Sequence, residues 1–117
     1  MTTRAAADRP NIVLINCDDL GYGDLGCYGS PCNNTPVLDG LAAKGTRFTD
    51  FYMASPVCSP SRGGMMTGCY PRRLSFDMFD NNATVLFPGH STGLSAGEVT
   101  IASLLRQQGY ATKIVGK

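Results

Sequence analysis

A cysteine and an arginine lie four residues apart in the stretch PVCSPSRGGMMTG, residues 56–68. Ser59 and Pro60 are residue types that cap and open helices, so the sequence predicts a helix beginning beside Cys58 and ending near the closing Thr-Gly. A helix N-terminus favours a thiolate or a bound anion, and Arg62 could bind a tetrahedral oxyanion through two hydrogen bonds. The spacing alone fits a sulfate or phosphate site, but it equally fits a half-buried structural thiol beside a surface arginine.

Two adjacent carboxylates, Asp18 and Asp19, follow an apolar run at residues 11–16. The run is rich in β-branched side chains and is typical of a strand covered on both faces of a parallel sheet. Ligands of open α/β sheets bind at the carboxyl ends of strands, so these carboxylates are candidate oxygen ligands for a divalent cation. An ordinary turn is the alternative for this Asp-Asp-Leu-Gly stretch.

Two further side chains are weaker candidates. His90 is the single histidine of the chain and follows Pro88-Gly89 in a loop-like stretch, so we expect it to face solvent and to take no part in catalysis. Lys117 follows an apolar segment and a glycine, which places it at the carboxyl edge of the predicted sheet.

Predicted strands alternate with predicted helices along the chain. The predicted strands share apolar character and β-branched or aromatic side chains; they are residues 11–16, 47–53 and 110–115. Apart from the helix at Cys58, two more are predicted: one from a Thr35 cap and Pro36 to Gly45, the other from a Ser95–Glu98 capping box to Gly109. Residues 71–93 are predicted to form a long surface loop. The alternation predicts an α/β fold with a parallel sheet.

The composition restricts the class of protein. A chain of 117 residues with 43% hydrophobic content suits one small domain with a core. A net charge of +1 gives no general attraction to nucleic acid or to an anionic membrane. Five cysteines without a Cys-x-x-Cys spacing argue against a disulfide framework and a structural zinc site. No signal-like or membrane-spanning run is visible, so we expect a cytoplasmic chain as written, with export possible if the true start lies upstream.

Taken together, these residues resemble the type I sulfatase family of formylglycine-dependent, arylsulfatase-like enzymes. The resemblance is carried by a strand ending in Asp-Asp and by the Cys-x-Pro-x-Arg signature at residues 58–62, with its Thr-Gly tail. It extends over residues 10–117, so residues 1–9 are interpreted as an N-terminal tail and residues 10–117 as the N-terminal part of a sulfatase catalytic domain. The implied fold is a parallel-sheet sandwich of the alkaline phosphatase-like type, incomplete in this chain.

The resemblance implies a role for each candidate residue. A formylglycine-generating maturation enzyme would oxidise Cys58 to formylglycine, whose hydrate attacks the ester and retains a second hydroxyl that allows sulfate to leave. Asp18, Asp19 and the modified Cys58 would bind Ca²⁺ or another divalent cation. Arg62 would hold the hydrated aldehyde, and Lys117 would bind the sulfate group. His90 matches no functional position of the family.

The implied function is hydrolysis of sulfuric esters, with an aryl or carbohydrate sulfate as the substrate. A phosphonate or phosphate monoester hydrolase of the same superfamily is an alternative, because both kinds of ester present a tetrahedral group. An inactive truncated fragment is the third hypothesis. The family's remaining metal ligands and its general-acid histidine follow the position of Lys117, so we expect these 117 residues to be inactive alone. No nucleic-acid or membrane partner is expected.

Overall fold

The computed structural model describes residues 9–117, so the predicted N-terminal tail lies almost entirely outside the described residues. The chain divides into two compact units, the first ending at Arg47 and the second comprising Phe48–Lys117. The α-helices are α1 (Pro36–Lys44), α2 (Cys58–Thr67) and α3 (Ile101–Gln107). Short 3₁₀ turns occur at Tyr22–Asp24, Gly26–Tyr28, Pro71–Leu74 and Asp80–Asn82. No helix in the described range is long and apolar enough to cross a membrane.

In the first unit, α1 begins and ends where the sequence predicts. Thr35 is the N-cap, Pro36 occupies the first turn and Gly45 is the C-cap. The Thr35 hydroxyl donates to the Asp39 carboxylate over 2.9 Å and accepts a hydrogen bond from the backbone N–H of Gly26 over 2.8 Å. The backbone N–H of Cys27 also donates to Asp39, over 2.7 Å. The start of α1 therefore fixes the 3₁₀ turn that precedes it.

In the second unit, the buried core follows α2 in the chain. It consists of Leu74, Phe76 and Phe79, and the two phenylalanine rings meet edge to face with centroids 5.0 Å apart. A Cβ placed on Gly63 of α2 would lie 2.7 Å from Phe76, so the glycine allows the ring to approach the helix backbone. The surface-loop prediction for residues 71–93 is thus wrong for its first part. The three core residues are two and then three positions apart, so no single helical or strand period marks them.

The start of α3 also differs from its prediction. Thr100 is the N-cap and exchanges hydrogen bonds with Ser103: each backbone N–H donates to the hydroxyl of the other residue. Ser95 is predicted as the cap, but its backbone carbonyl accepts a bond from the Glu98 N–H in a turn before the helix, and its hydroxyl accepts one from the Gly97 N–H. Gly109 ends the helix as predicted, with a φ of 84°. Its N–H bonds to Arg106 and that of Tyr110 to Leu105, the pattern of a Schellman motif.

The three predicted strands do not form a sheet in this structure. Between residues 9 and 117 the only strand-like pairing is an isolated antiparallel bridge from Phe79 to Ala83. The apolar side chains of the predicted strands are largely exposed, including Val13 at 81% and Val115 at 85%. A strand is stabilised by hydrogen bonds to a neighbouring strand, and within residues 9–117 no neighbouring strand pairs with these segments.

Candidate functional site

Cys58 is the first residue of α2 and is half-buried. The N-cap is Val57, with φ −120° and ψ 155°, so the prediction that Ser59 caps the helix is wrong. Pro60 lies in the first turn as predicted, where its missing N–H leaves no intrahelical bond unmade. Because the N–H groups and the positive end of the dipole are concentrated in this turn, Cys58 lies where negative charge is stabilised.

Ser59 holds a second segment of the chain next to Cys58. Its hydroxyl accepts a hydrogen bond from the backbone N–H of Leu86 over 2.9 Å. The same hydroxyl lies 3.9 Å from the Cys58 sulfur. The segment around Leu86 is therefore fixed beside the cysteine, a contact that the sequence pattern did not reveal because it joins residues 27 positions apart.

Arg62 lies one helical turn after Cys58, so the two residues share a face of α2. An Nη of Arg62 donates a hydrogen bond to the backbone carbonyl of Lys117 over 2.8 Å. The structure thus brings together two residues that the sequence predicts for the site although they are 55 positions apart. The contact is to the backbone of Lys117, and the residue as a whole is exposed.

Asp18 and Asp19 are exposed and lie at a bend in the first unit. Their carboxylate oxygens have the chemistry that Ca²⁺ prefers, but two carboxylates are fewer than the roughly six to eight oxygens of a full calcium site. Among residues 9–117, no group of three or more His, Cys, Asp or Glu side chains is arranged to hold a metal ion. The two aspartates therefore fit part of a calcium site.

His90 packs against aromatic rings, so the expectation that it faces solvent is not met. It is half-buried, and its ring meets Phe87 edge to face with centroids 5.7 Å apart. Its Nδ1 is buried and makes no hydrogen bond within the described residues.

The neighbouring Asp80 accepts bonds from the Ser91 N–H and hydroxyl and from the Thr92 hydroxyl, at 2.6, 2.8 and 3.3 Å. These bonds, the one from the Ser91 N–H foremost, lower the pKa of Asp80.

The structure places a cysteine at the start of α2 and an arginine one turn later, and both residue types can interact with a tetrahedral anion. The Sulfatase family model matches residues 10–117, and the chain belongs to the sulfatase family. It is 47% identical to human steryl-sulfatase over 112 residues, which are 96% of this chain and 19% of that protein. It is 52% identical to human arylsulfatase A over 113 residues, 97% of this chain and 21% of the relative. Human N-acetylgalactosamine-6-sulfatase is 42% identical over 119 residues, spanning 100% of the chain and 23% of that enzyme.

The chain therefore spans about a fifth of the length of the curated relatives that it matches.

Proposed function

We propose that this chain supplies the nucleophile and part of the sulfate-binding site of an enzyme that hydrolyses sulfate monoesters. The observation that carries the proposal is the position of Cys58 at the start of α2, with Arg62 on the next turn and bonded to the backbone of Lys117. Family membership supports it, because the relatives are named as sulfatases of steryl, aryl and N-acetylgalactosamine-6-sulfate type. An aryl or carbohydrate sulfate is accordingly the proposed substrate class.

The residues of α2 would bind and orient the sulfate group. The first turn of the helix stabilises its negative charge through the dipole and the backbone N–H groups. The bond to Lys117 restrains the Arg62 guanidinium before substrate arrives, and donors held in place in advance lower the cost of ordering them during reaction. The Lys117 ammonium would add a second positive charge to this anion site.

Two groups absent from the bare polypeptide would complete the chemistry. Formylglycine made from Cys58 by a maturation enzyme would supply the hydrated aldehyde as nucleophile. Asp18, Asp19 and the modified residue 58 would hold Ca²⁺ or another divalent cation, which supplies Lewis-acid polarisation of the sulfate oxygens. The hard carboxylate donors fit such a cation, and further ligands would have to complete the site.

We also propose that residues 10–117 are the N-terminal part of a catalytic domain built as a parallel-sheet sandwich of the alkaline phosphatase-like type. The family match over these residues supports this architecture. The exposed apolar side chains at residues 12–15 and 114–115 support it as well, because central strands of parallel sheets carry such runs.

The maturation step can be tested on the chain itself. Coexpression with a formylglycine-generating enzyme is expected to give a chain that reacts with an aminooxy probe, and peptide mass spectrometry is expected to place the aldehyde at residue 58. C58A should abolish labelling, whereas C69A removes another half-buried thiol and should retain it. An unmodified Cys58, in a culture where a control sulfatase is converted, would argue against the proposed nucleophile.

Ester specificity requires a complete enzyme. A chimera in which this chain replaces the matching 113 residues of human arylsulfatase A supplies the remaining length. We expect the matured chimera to hydrolyse 4-nitrophenyl sulfate and its C58A variant to lose that activity. Preference for 4-nitrophenyl phosphate would support the phosphate monoester alternative instead. A folded, aldehyde-bearing chimera that cleaves neither ester would contradict both hydrolase hypotheses.

A further inference from the structure

Two segments of the chain carry the pattern Asn-x-Thr, at Asn33-Asn34-Thr35 and at Asn82-Ala83-Thr84. The pattern is the acceptor sequence for N-linked glycans, provided that the asparagine lies in an accessible surface segment. Neither segment takes part in the proposed sulfate site, so the two can be compared on their structural surroundings alone.

In the first segment, the side-chain amide of Asn33 and the hydroxyl of Thr35 already form hydrogen bonds within the fold. The side-chain amide of Asn33 donates to the Asp24 carbonyl over 3.1 Å. The Thr35 hydroxyl bonds to the Gly26 N–H and to the carboxylate of Asp39 at the start of α1. Thr35 also precedes a proline, which restricts its backbone. These contacts make the first segment a structural part of the first unit.

The second segment lies at the tip of a tight turn. Asn82 is exposed and has a φ of 60°, a conformation that asparagine tolerates better than most residues. The base of the turn is joined by a 2.8 Å bond from the Phe79 N–H to the Ala83 carbonyl, and Phe79 is only 5% exposed. Within residues 9–117, no side-chain hydrogen bond engages Asn82 or Thr84. The core therefore fixes the base of the turn and leaves its tip in solvent.

We propose that Asn82 is an N-glycosylation site, with Thr84 as the hydroxyl residue of its acceptor sequence. In the reaction, the Asn82 amide nitrogen bonds to the anomeric carbon of a lipid-pyrophosphate-linked oligosaccharide. The bond from that carbon to the phosphate oxygen breaks, the lipid pyrophosphate leaves with the electron pair, and the amide proton passes to a base. The step requires an oligosaccharyltransferase, so it takes place in a chain that enters a secretory compartment. A hydrophilic glycan at this tip remains in water and displaces no core residue.

The test is translation of the full chain behind a cleavable secretion signal in the presence of microsomes. We expect a gel shift that endoglycosidase removes, with conversion of Asn82 to aspartate on enzymatic release. N82D and T84A should each abolish the modification at this position. T84S keeps the hydroxyl, and N81D alters the neighbouring residue with the same positive φ, so both should retain it. N82D suits the turn because aspartate also tolerates this conformation.

Absence of the shift, in a reaction that glycosylates an added acceptor peptide, would overturn the proposal. A shift that persists in N82D and disappears in N33D would overturn it too. Glycans at both positions would support Asn82 as an acceptor and would show that the contacts of Asn33 form too late to protect it. The outcome does not depend on sulfate hydrolysis, so either proposal can fail alone.

Discussion

The hydroxyl of Ser59 takes a different partner from the one that helix-capping rules assign to it. A capping serine at this position would accept a bond from the Ser61 N–H. In the structure that N–H bonds to the Val57 carbonyl, because the helix begins at Cys58. The hydroxyl is then available to the Leu86 N–H. A shift of two residues in the start of the helix thus places Cys58 in its first turn and leaves the Ser59 hydroxyl to hold a loop beside it.

The hydrogen bonds of Asp80 stabilise the charged form of its carboxylate. Its pKa is lowered chiefly by the bond from the Ser91 N–H, so the folded state binds a proton more weakly than the unfolded state. The stabilisation is present above the ordinary pKa of about 3.9 and is lost as pH falls through the lower, folded value. We expect an NMR titration of the Asp80 carboxyl carbon to have its midpoint below that ordinary value.

Two variants test the effect of these hydrogen bonds on Asp80 and on stability in acid. S91A removes the hydroxyl bond but keeps the N–H bond, so it should raise the Asp80 pKa only partway. In the arylsulfatase A chimera, where the rest of the protein would cover the exposed apolar runs, D80N should make the free energy of unfolding less sensitive to acid. An Asp80 midpoint at or above the ordinary value would contradict the hydrogen bonds seen here.

The position of α2 depends on two glycines, Gly63 and Gly64, whose lack of a side chain allows other groups to approach the helix backbone. Gly63 faces Phe76, and a Cβ on Gly64 would lie 3.1 Å from the Cys69 carbonyl. Both glycines are buried, whereas the residues of α2 that carry the proposed chemistry, Cys58 and Arg62, are only half-buried. The glycine pair therefore marks the face of the helix that packs on the unit and leaves another face for the site.

Substitution of Gly63 by alanine should destabilise the second unit. The added Cβ would lie 2.7 Å from Phe76, and overpacking of this kind costs about 1–3 kcal/mol. Gly40 of α1 is the matched control, because nothing lies within 4 Å of its Cβ position. Gly40→Ala should stabilise its helix by about 0.5–1 kcal/mol. Amide hydrogen exchange in each helix measures both effects, and equal changes of the same sign would contradict the close contact.

Alanine variants can show which residue caps the start of α3. Thr100→Ala removes the observed cap and should destabilise the helix by about 1 kcal/mol. Ser95→Ala removes the cap that the sequence pattern favoured and should change helix stability by much less. Exchange rates of the α3 amides in the two variants identify the cap. A larger effect of Ser95→Ala than of Thr100→Ala would show that Ser95 caps the helix, as the sequence predicts.

The whole molecule buries little apolar surface for its length. Leu74, Phe76 and Phe79 are its buried large hydrophobic residues within the described range, while many others are exposed. Exposed apolar runs of this extent mark surfaces that other protein elements cover. The family match over about a fifth of its relatives is consistent with that interpretation.

The purified 117-residue chain is therefore expected to bind a hydrophobic dye and to self-associate, without a cooperative unfolding transition. The same residues in the arylsulfatase A chimera should show no dye binding, because the rest of that protein would cover them. Dye fluorescence, analytical ultracentrifugation and thermal unfolding make the comparison. A monomeric chain that unfolds cooperatively would show that its small core suffices.

The sequence alone determined the features that depend on neighbours within about one helical turn. Thr35, Pro36 and Gly45 bound α1, Gly109 ends α3, and the Cys-x-Pro-x-Arg signature falls on the first turns of α2. Capping and turn chemistry involve only local backbone groups, so local patterns predict them well. The cap of α3 is an exception, because the local pattern predicted Ser95 and the structure has Thr100.

Tertiary structure alone decided which distant residues meet. The bond between Arg62 and Lys117, the tether from Ser59 to Leu86 and the aromatic core after α2 join residues without a common periodicity. The apolar runs predicted as strands illustrate the same limit, because composition records a preference for burial, whereas a strand exists only where another strand supplies hydrogen bonds. Local sequence therefore determines the chemistry of the candidate residues, and long-range packing decides which of them lie together.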